Sequence, residues 1–243
     1  MVIDTDTLLD EVRTRGDEWQ SWRARRIAGE DPGEVPTVPG QDALGAFAGP
    51  TGEPSPGATG ARLCHLKVIG LAGSGPGVIA ADWLQDARTP AEAWLDPPTQ
   101  VPGELDTPAA GRVWATAAAS CGLLAVGRDP GHRALDLLRG EADQEGRFTG
   151  GPYPTFAAAG AYWLATGPKT EMAEWALRWA RENVAEWWGT ETWLSGLTFW
   201  AAAGVPAEHA TVEFFLDELR DASPAGDLES PLATLELLGY YGA

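Results

Sequence analysis

Lysine is nearly missing from this sequence: Lys67 and Lys169 are the only two, and arginine supplies the rest of 17 basic residues against 35 acidic ones. The net charge of −18 repels a polyanion over most of the surface, so nucleic acid is not expected as a partner. Cysteine is scarce as well. Cys64 and Cys121 each sit inside an apolar pattern with no second Cys or His at metal-ligand spacing, which argues against a disulfide framework and leads us to expect two reduced, buried thiols. No apolar run reaches the roughly 18 residues that a membrane span needs. The opening Met1-Val-Ile-Asp-Thr-Asp lacks the basic-then-apolar pattern of a signal peptide, and a soluble cytoplasmic protein is therefore expected. Strand-like alternation never lasts long enough to compete with helical spacing. With 44% hydrophobic residues the chain can still build a sizeable core, and the expected class is all-α.

Three regions differ in texture. Residues 1–29 carry one helical stripe of Leu8, Leu9, Val12, Trp19, Trp22 and Ile27, with Asp4 or Thr5 as N-cap and Gly16 as a weak point. Along that helix Arg13, Arg15, Arg23, Arg25 and Arg26 alternate with Asp10, Glu11, Asp17 and Glu18, a spacing that favours mutual pairing on a solvated face over a phosphate site. Residues 30–60 hold six prolines and seven glycines between Glu30 and Gly60, which reads as a long connection anchored by Leu44 and Phe47. Residues 61–243 repeat.

Five apolar segments in this last region each run into a glycine: Leu63 to Gly73, Ala115 to Gly127, Thr155 to Gly167, Thr192 to Gly204 and Ser230 to Gly242. In the last four a Thr, Ser or Ala opens the segment, small residues fill its middle, and larger apolar groups precede a glycine able to take the left-handed cap. Between them lie one-sided segments, Val78 to Ala87, His132 to Glu141, Glu171 to Trp188 and Ala207 to Asp221. A helix apolar all round must be walled in by neighbours, so two layers are expected, with the first kind inside. About five helical hairpins result.

The turns before three inner segments share a form: Gly103-Glu-Leu-Asp-Thr107, Gly226-Asp-Leu-Glu-Ser230 and, more loosely, Glu145-Gly-Arg-Phe148 ahead of Pro154-Thr155. With the helices that follow, this resembles the repeat of the terpenoid cyclase and protein prenyltransferase superfamily over residues 60 to 243. The resemblance implies an α/α toroid, in which inner helices surround a cavity and outer helices enclose them. It also implies points of departure. Prenyltransferase-type members hold zinc with Asp, Cys and His, whereas His65, His132 and His209 here have no matching Cys-containing turn, so neither metal nor cofactor is expected. Squalene-cyclase-type members protonate substrate with an Asp-x-Asp-Asp motif; here Asp106 matches its last acid, and Leu105 replaces the central one. Gly146 and Phe148 match the aromatic signature of the repeat, and Ala142 stands where its Gln belongs.

These residues lead to a functional expectation: an apolar isoprenoid or polyene substrate, bound in the toroid cavity and cyclised after protonation. Asp106 is the candidate acid, its competing role being the cap of the helix that begins at Thr107. His65, beside Cys64, is a second candidate if a third group orients its imidazole. Arg62 and Lys67 flank it and would suit an anionic head group at the cavity mouth. The inner-helix aromatics Phe156, Tyr162, Trp163, Trp193, Phe199 and Trp200 are candidates for lining the pocket and stabilising a cation, against the alternative that they fill the centre. Gly73-Ser-Gly-Pro-Gly77 has no Lys and follows a helix, so it is a turn and not a phosphate loop. The competing functional expectations are a non-catalytic toroid that binds a hydrophobic ligand, a protein or its own copy, and an accessory subunit of a larger cyclase.

Overall fold

A computed structural model describes residues 5–102, 107–167, 170–222 and 227–242. Among them are eleven α-helices: α1 (Thr5–Arg15), α2 (Glu18–Ile27), α3 (Pro56–Val68), α4 (Gly75–Asp86), α5 (Pro108–Ala125), α6 (His132–Gly140), α7 (Pro152–Thr166), α8 (Glu171–Glu182), α9 (Thr190–Ala203), α10 (Ala210–Asp221) and α11 (Glu229–Tyr241). No strand occurs among the described residues, only three isolated bridges. The class is all-α.

Local chemistry sets the helix boundaries. Ser55 and Thr107 each accept a hydrogen bond from the third residue of the helix they precede, and Pro56 and Pro108 occupy first-turn positions where a missing N–H costs nothing. The expected N-terminal helix is two helices. Asp17 restarts the chain as a capping box with Gln20, after Gly16. The α3 helix starts earlier and stops earlier than its apolar run suggests, at Val68, with Gly70 at φ +74° closing it instead of Gly73.

Two kinds of helix alternate. In α7 every residue from Tyr153 to Trp163 is buried, and α5 is buried without a break from Val113 to Leu123. By contrast α8 and α10 bury one face and turn their charges outward. Small residues let the buried helices approach closely: a Cβ on Gly60 of α3 would lie 2.3 Å from the Ala118 carbonyl of α5, and one on Gly122 of α5 would lie 2.6 Å from the Gly60 oxygen. Helix α3 packs on α5, α5 on α7, α7 on α9 and α9 on α11, and α3 also meets α9 directly.

The segment before α3 is no featureless connection. Asp42 Oδ1 accepts from the amides of Leu44 and Ala46 at 2.9 Å, as Asp143 Oδ1 does from Glu145 and Arg147 at 2.9 Å. The Phe47 amide donates to Thr59 Oγ1 at 2.9 Å, and the Phe148 amide to Thr155 Oγ1 at 2.9 Å. Gly45 (φ +104°) rests on the Ile79 carbonyl of α4, while Gly146 (φ +92°) rests on the Trp175 carbonyl of α8, so any other residue would be strained and would clash. The turn, buried helix and amphipathic helix thus recur twice with the same bonds, and the first unit begins near residue 40. Its Gln41 fills the place of Ala142 and donates to the Pro76 carbonyl at 2.9 Å. Phe47 is buried as expected; Leu44, expected to be an anchor, is 76% exposed because the turn points it at solvent.

Candidate functional site

Helices α3, α5, α7, α9 and α11 all contribute residues to the wall of one cavity of about 700 Å³, with α2, the segment 39–50, Gln100 and Pro102 completing it. Ala58, Ala61, Arg62 and His65 come from α3, Trp114 from α5, Tyr153 from α7, Leu194 and Phe199 from α9, and Ala233 from α11. Its walls are mainly apolar, and Arg23, Arg62, His65 and Glu229 form a linked polar side. Such a mixture is what a small-molecule site needs.

The polar side is a relay across three helices. Arg23 of α2, fully buried, forks onto Glu236 of α11 with both bonds at 2.7 Å and reaches Glu229 at 2.6 Å. Gln20 supports Glu229 from its other oxygen at 2.9 Å. His65 Nε2 lies 2.9 Å from Glu236 Oε2, and Arg62 Nη1 lies 3.4 Å from His65 Nδ1. Arg62 can only donate, so Nδ1 must accept and the imidazole carries its proton on Nε2, facing Glu236. Burial, reinforced by Arg23 and Arg62, pushes the His65 pKa down despite Glu236 and keeps the ring neutral. Burial would push the Glu236 carboxyl up, but the His65 bond and the Arg23 charge outweigh it and hold it at about 2. The Arg23 pKa is lowered by burial and raised more by Glu236 and Glu229.

A third group therefore does orient His65, but not toward the cysteine. The Cys64 thiol faces Cys121 at 3.7 Å, both free and buried, and burial pushes the Cys64 thiol well up, so a Cys–His nucleophile is ruled out by direction. The basic N-terminal stretch also departs from expectation. Arg13 and Arg15 pair locally with Asp10 and Glu11, yet Arg23 turns inward, and Arg26 caps the Ile69 carbonyl and lies over Trp22.

Of the six aromatics expected to line a pocket, Phe199 does so, 6.1 Å edge-on from Trp114. The other five are not part of this wall. Phe156, Trp193 and Trp200 pack around Phe215 and Trp188, with centroids 4.5–5.5 Å apart. Tyr162 donates to the Leu135 carbonyl at 2.6 Å, and Trp163 packs on His209. Trp187 and Trp188 lie beyond the end of α8, the latter buried and the former 59% exposed. Trp19, Phe47, Trp114 and Tyr153 are the wall aromatics that sequence reasoning missed. Glu236 was missed too, though a lone acid amid Leu235, Leu237 and Leu238 was its signal.

Asp106 lies outside the described residues. Its competing role at the helix mouth is taken by Thr107, whose hydroxyl accepts from the Ala110 amide. A different acid is buried nearby: Asp96, which accepts from Ser55 Oγ at 2.8 Å and from the Gly57 amide at 2.9 Å. Burial pushes it up to about 6 in spite of those two bonds. It sits behind the wall, at the start of α3. Among the described residues no group of three or more His, Cys, Asp or Glu is placed to hold a metal ion, and no helix is long and apolar enough to cross a membrane. No protein-family model matches the chain, and no curated protein matches it by sequence.

Proposed function

We propose that this chain binds an apolar small molecule, isoprenoid or polyene in class, in the cavity to which α3, α5, α7, α9 and α11 all contribute. The observation that carries this reading is the cavity itself: about 700 Å³, with residues from each of those five helices in its wall. On this reading these five helices are the inner layer of an α/α toroid and α4, α6, α8 and α10 its outer layer. The reaction proposed is acid-initiated ring closure. Asp106 is its acid, since the residue directly precedes Thr107, the cap of the wall helix that carries Trp114. His65 and Glu236 are poor proton donors, one neutral and one ionised, so within the polar relay they would position and not protonate.

A second reading, ligand binding without turnover, is favoured by a separate observation. Five of the six inner aromatics are spent on packing, and the π faces left to a migrating cation are those of the wall aromatics Trp19, Phe47, Trp114, Tyr153 and Phe199. Native mass spectrometry against prenyl diphosphates and linear polyenes, scoring bound and product mass together, separates the two. Product formed by the native chain and abolished in Asp106→Asn, with unchanged circular dichroism, is the result expected for the cyclase. Bound ligand recovered unchanged identifies the binding protein, and no bound mass with any member overturns both.

A further inference from the structure

Two arginines reach the polar side of the cavity, and they are treated differently. Arg23 spends its whole fork on Glu236 and Glu229 and is sealed from solvent. Arg62 is partly buried in the cavity wall, over the Phe47 ring at 5.7 Å, and has no carboxylate partner among the described residues; its bond is the long one to His65 Nδ1. A guanidinium offers five N–H donors in one plane and no acceptor. Most of that capacity is unspent.

The repeat shows that the fold does not require a cation here. Thr59 and Thr155 fix the register of the two units, each hydroxyl bonding back four residues and accepting from the turn. In that register Arg62 and His65 stand where α7 has Ala158 and Ala161, both fully buried among apolar neighbours. Alanine packs well at these positions, so holding a guanidinium half out of water there costs free energy that the architecture does not demand. Burial and the charge of Arg23 push the Arg62 pKa down, which is the mark of a cation that a nearby negative charge would relieve. Glu229 and Glu236 act on Arg62 through space and raise its pKa, but they do not offset burial and the Arg23 charge, and neither bonds to it. Glu229 is taken by Arg23 and Gln20, Asp17 caps α2, and Asp17 and Glu191 are exposed, where water screens them.

We propose that Arg62 is the anchor for an oxyanion head, carboxylate or phosphate, on the apolar ligand that the cavity takes. This rests on the proposed cavity function and narrows its ligand class to amphiphilic anions. The head accepts from the unspent guanidinium edge, and the apolar body lies along Trp114, Leu194 and Phe199.

The test uses three probes with one isoprenoid body and different heads: geraniol, geranic acid and geranyl phosphate. Each is titrated calorimetrically into the full chain, with inorganic phosphate as a competitor to reveal head-only binding. We expect at least one anion to bind about ten-fold or more tightly than the alcohol, the stronger of the two naming the head. Arg62→Gln should bring both anions within about two-fold of the alcohol, while Arg62→Lys keeps part of the preference. Equal affinity for all three probes in the native chain overturns the Arg62 assignment and leaves the cavity reading standing. So does an anion preference that survives Arg62→Gln. Binding of none of the three overturns both readings. The native-chain comparison needs no variant, so a misfolded Arg62→Gln protein would not leave the question open.

Discussion

Replacing Asp96 by Asn should make stability less dependent on pH, because Asp96 contributes with a sign opposite to that of a carboxyl held ionised by a partner, such as Glu236. Asp96 is 6% exposed, and its second oxygen finds no donor among the described residues, so burial outweighs the bonds from Ser55 and Gly57 and carries its pKa from 3.8 to about 6. In the unfolded chain it ionises near the lower value. Between the two, the folded state holds a proton that the unfolded state has lost, and stability must fall as pH rises. The full contribution is present below about pH 4 and gone above about pH 6. A shift of about two units corresponds to about 3 kcal/mol, as an order of magnitude. An amide at this position can still accept from Ser55 and Gly57 and has no proton to lose. Urea unfolding of both proteins, followed by tryptophan fluorescence at several pH values from 4 to 7.5, checks this. Near pH 4 the two should be similar; by pH 7 Asp96→Asn should be about 2–3 kcal/mol the more stable. The depressed Glu236, whose stabilisation is lost as pH falls toward 2, and the depressed His65, whose burial costs stability as pH falls below 6.5, are common to both chains and cancel in the difference. Parallel stability curves would refute the buried-acid argument.

Arg23→Met removes the cation from two carboxylates, one of them buried, and should cost about 3–5 kcal/mol in chemical unfolding at neutral pH. A loss under 1 kcal/mol would mean that Glu236 is protonated without it. Gly60→Ala places a methyl against the Ala118 backbone and should lower stability by about 1–3 kcal/mol despite the better helix propensity of alanine, as read by melting. Thr59→Val and Thr155→Val each orphan a buried amide, that of Phe47 or Phe148, and should cost about 1–3 kcal/mol apiece by similar amounts. A strongly unequal pair would show that the two turns do not carry equal loads.

Helix content and the alternation of buried with one-sided helices were legible because each follows from neighbours a few residues apart. Caps, prolines at first turns and glycines past the last apolar residue are local signals, and they survive folding. The segment from residue 30 to 60 was misread for the complementary reason. Its prolines and glycines do exclude regular structure, but Asp42, Gly45 and Phe47 build a turn whose meaning comes from Thr59 and from the Ile79 carbonyl, partners that only the folded chain supplies. The same turn around Asp143, Gly146 and Phe148 was visible, so the missed signal was a spacing, Asp-x-x-Gly-x-Phe, held twice with unequal distances to the helix that follows.

The candidate site was harder to read because its residues are about 170 to 210 positions apart, as in the His65–Glu236 and Arg23–Glu236 bonds. Periodicity ranks Arg23 with Arg13 and Arg15, which pair locally with Asp10 and Glu11 in the open; nothing nearby marks it as the one sealed by α11. Aromatic richness pointed the other way. Tryptophans at inner positions promised a lined pocket, yet a large ring gains most where it is wholly buried, and α9 and α10 bring Trp193, Trp200 and Phe215 close enough to satisfy one another. What remains to face the cavity is determined by where such packing is blocked. At the α3 end it is blocked by Arg62 and His65, where α7 has alanines. The polar relay thus does two things at once: it ties the first and last thirds of the chain together through Glu236, and it keeps one stretch of wall from closing into core.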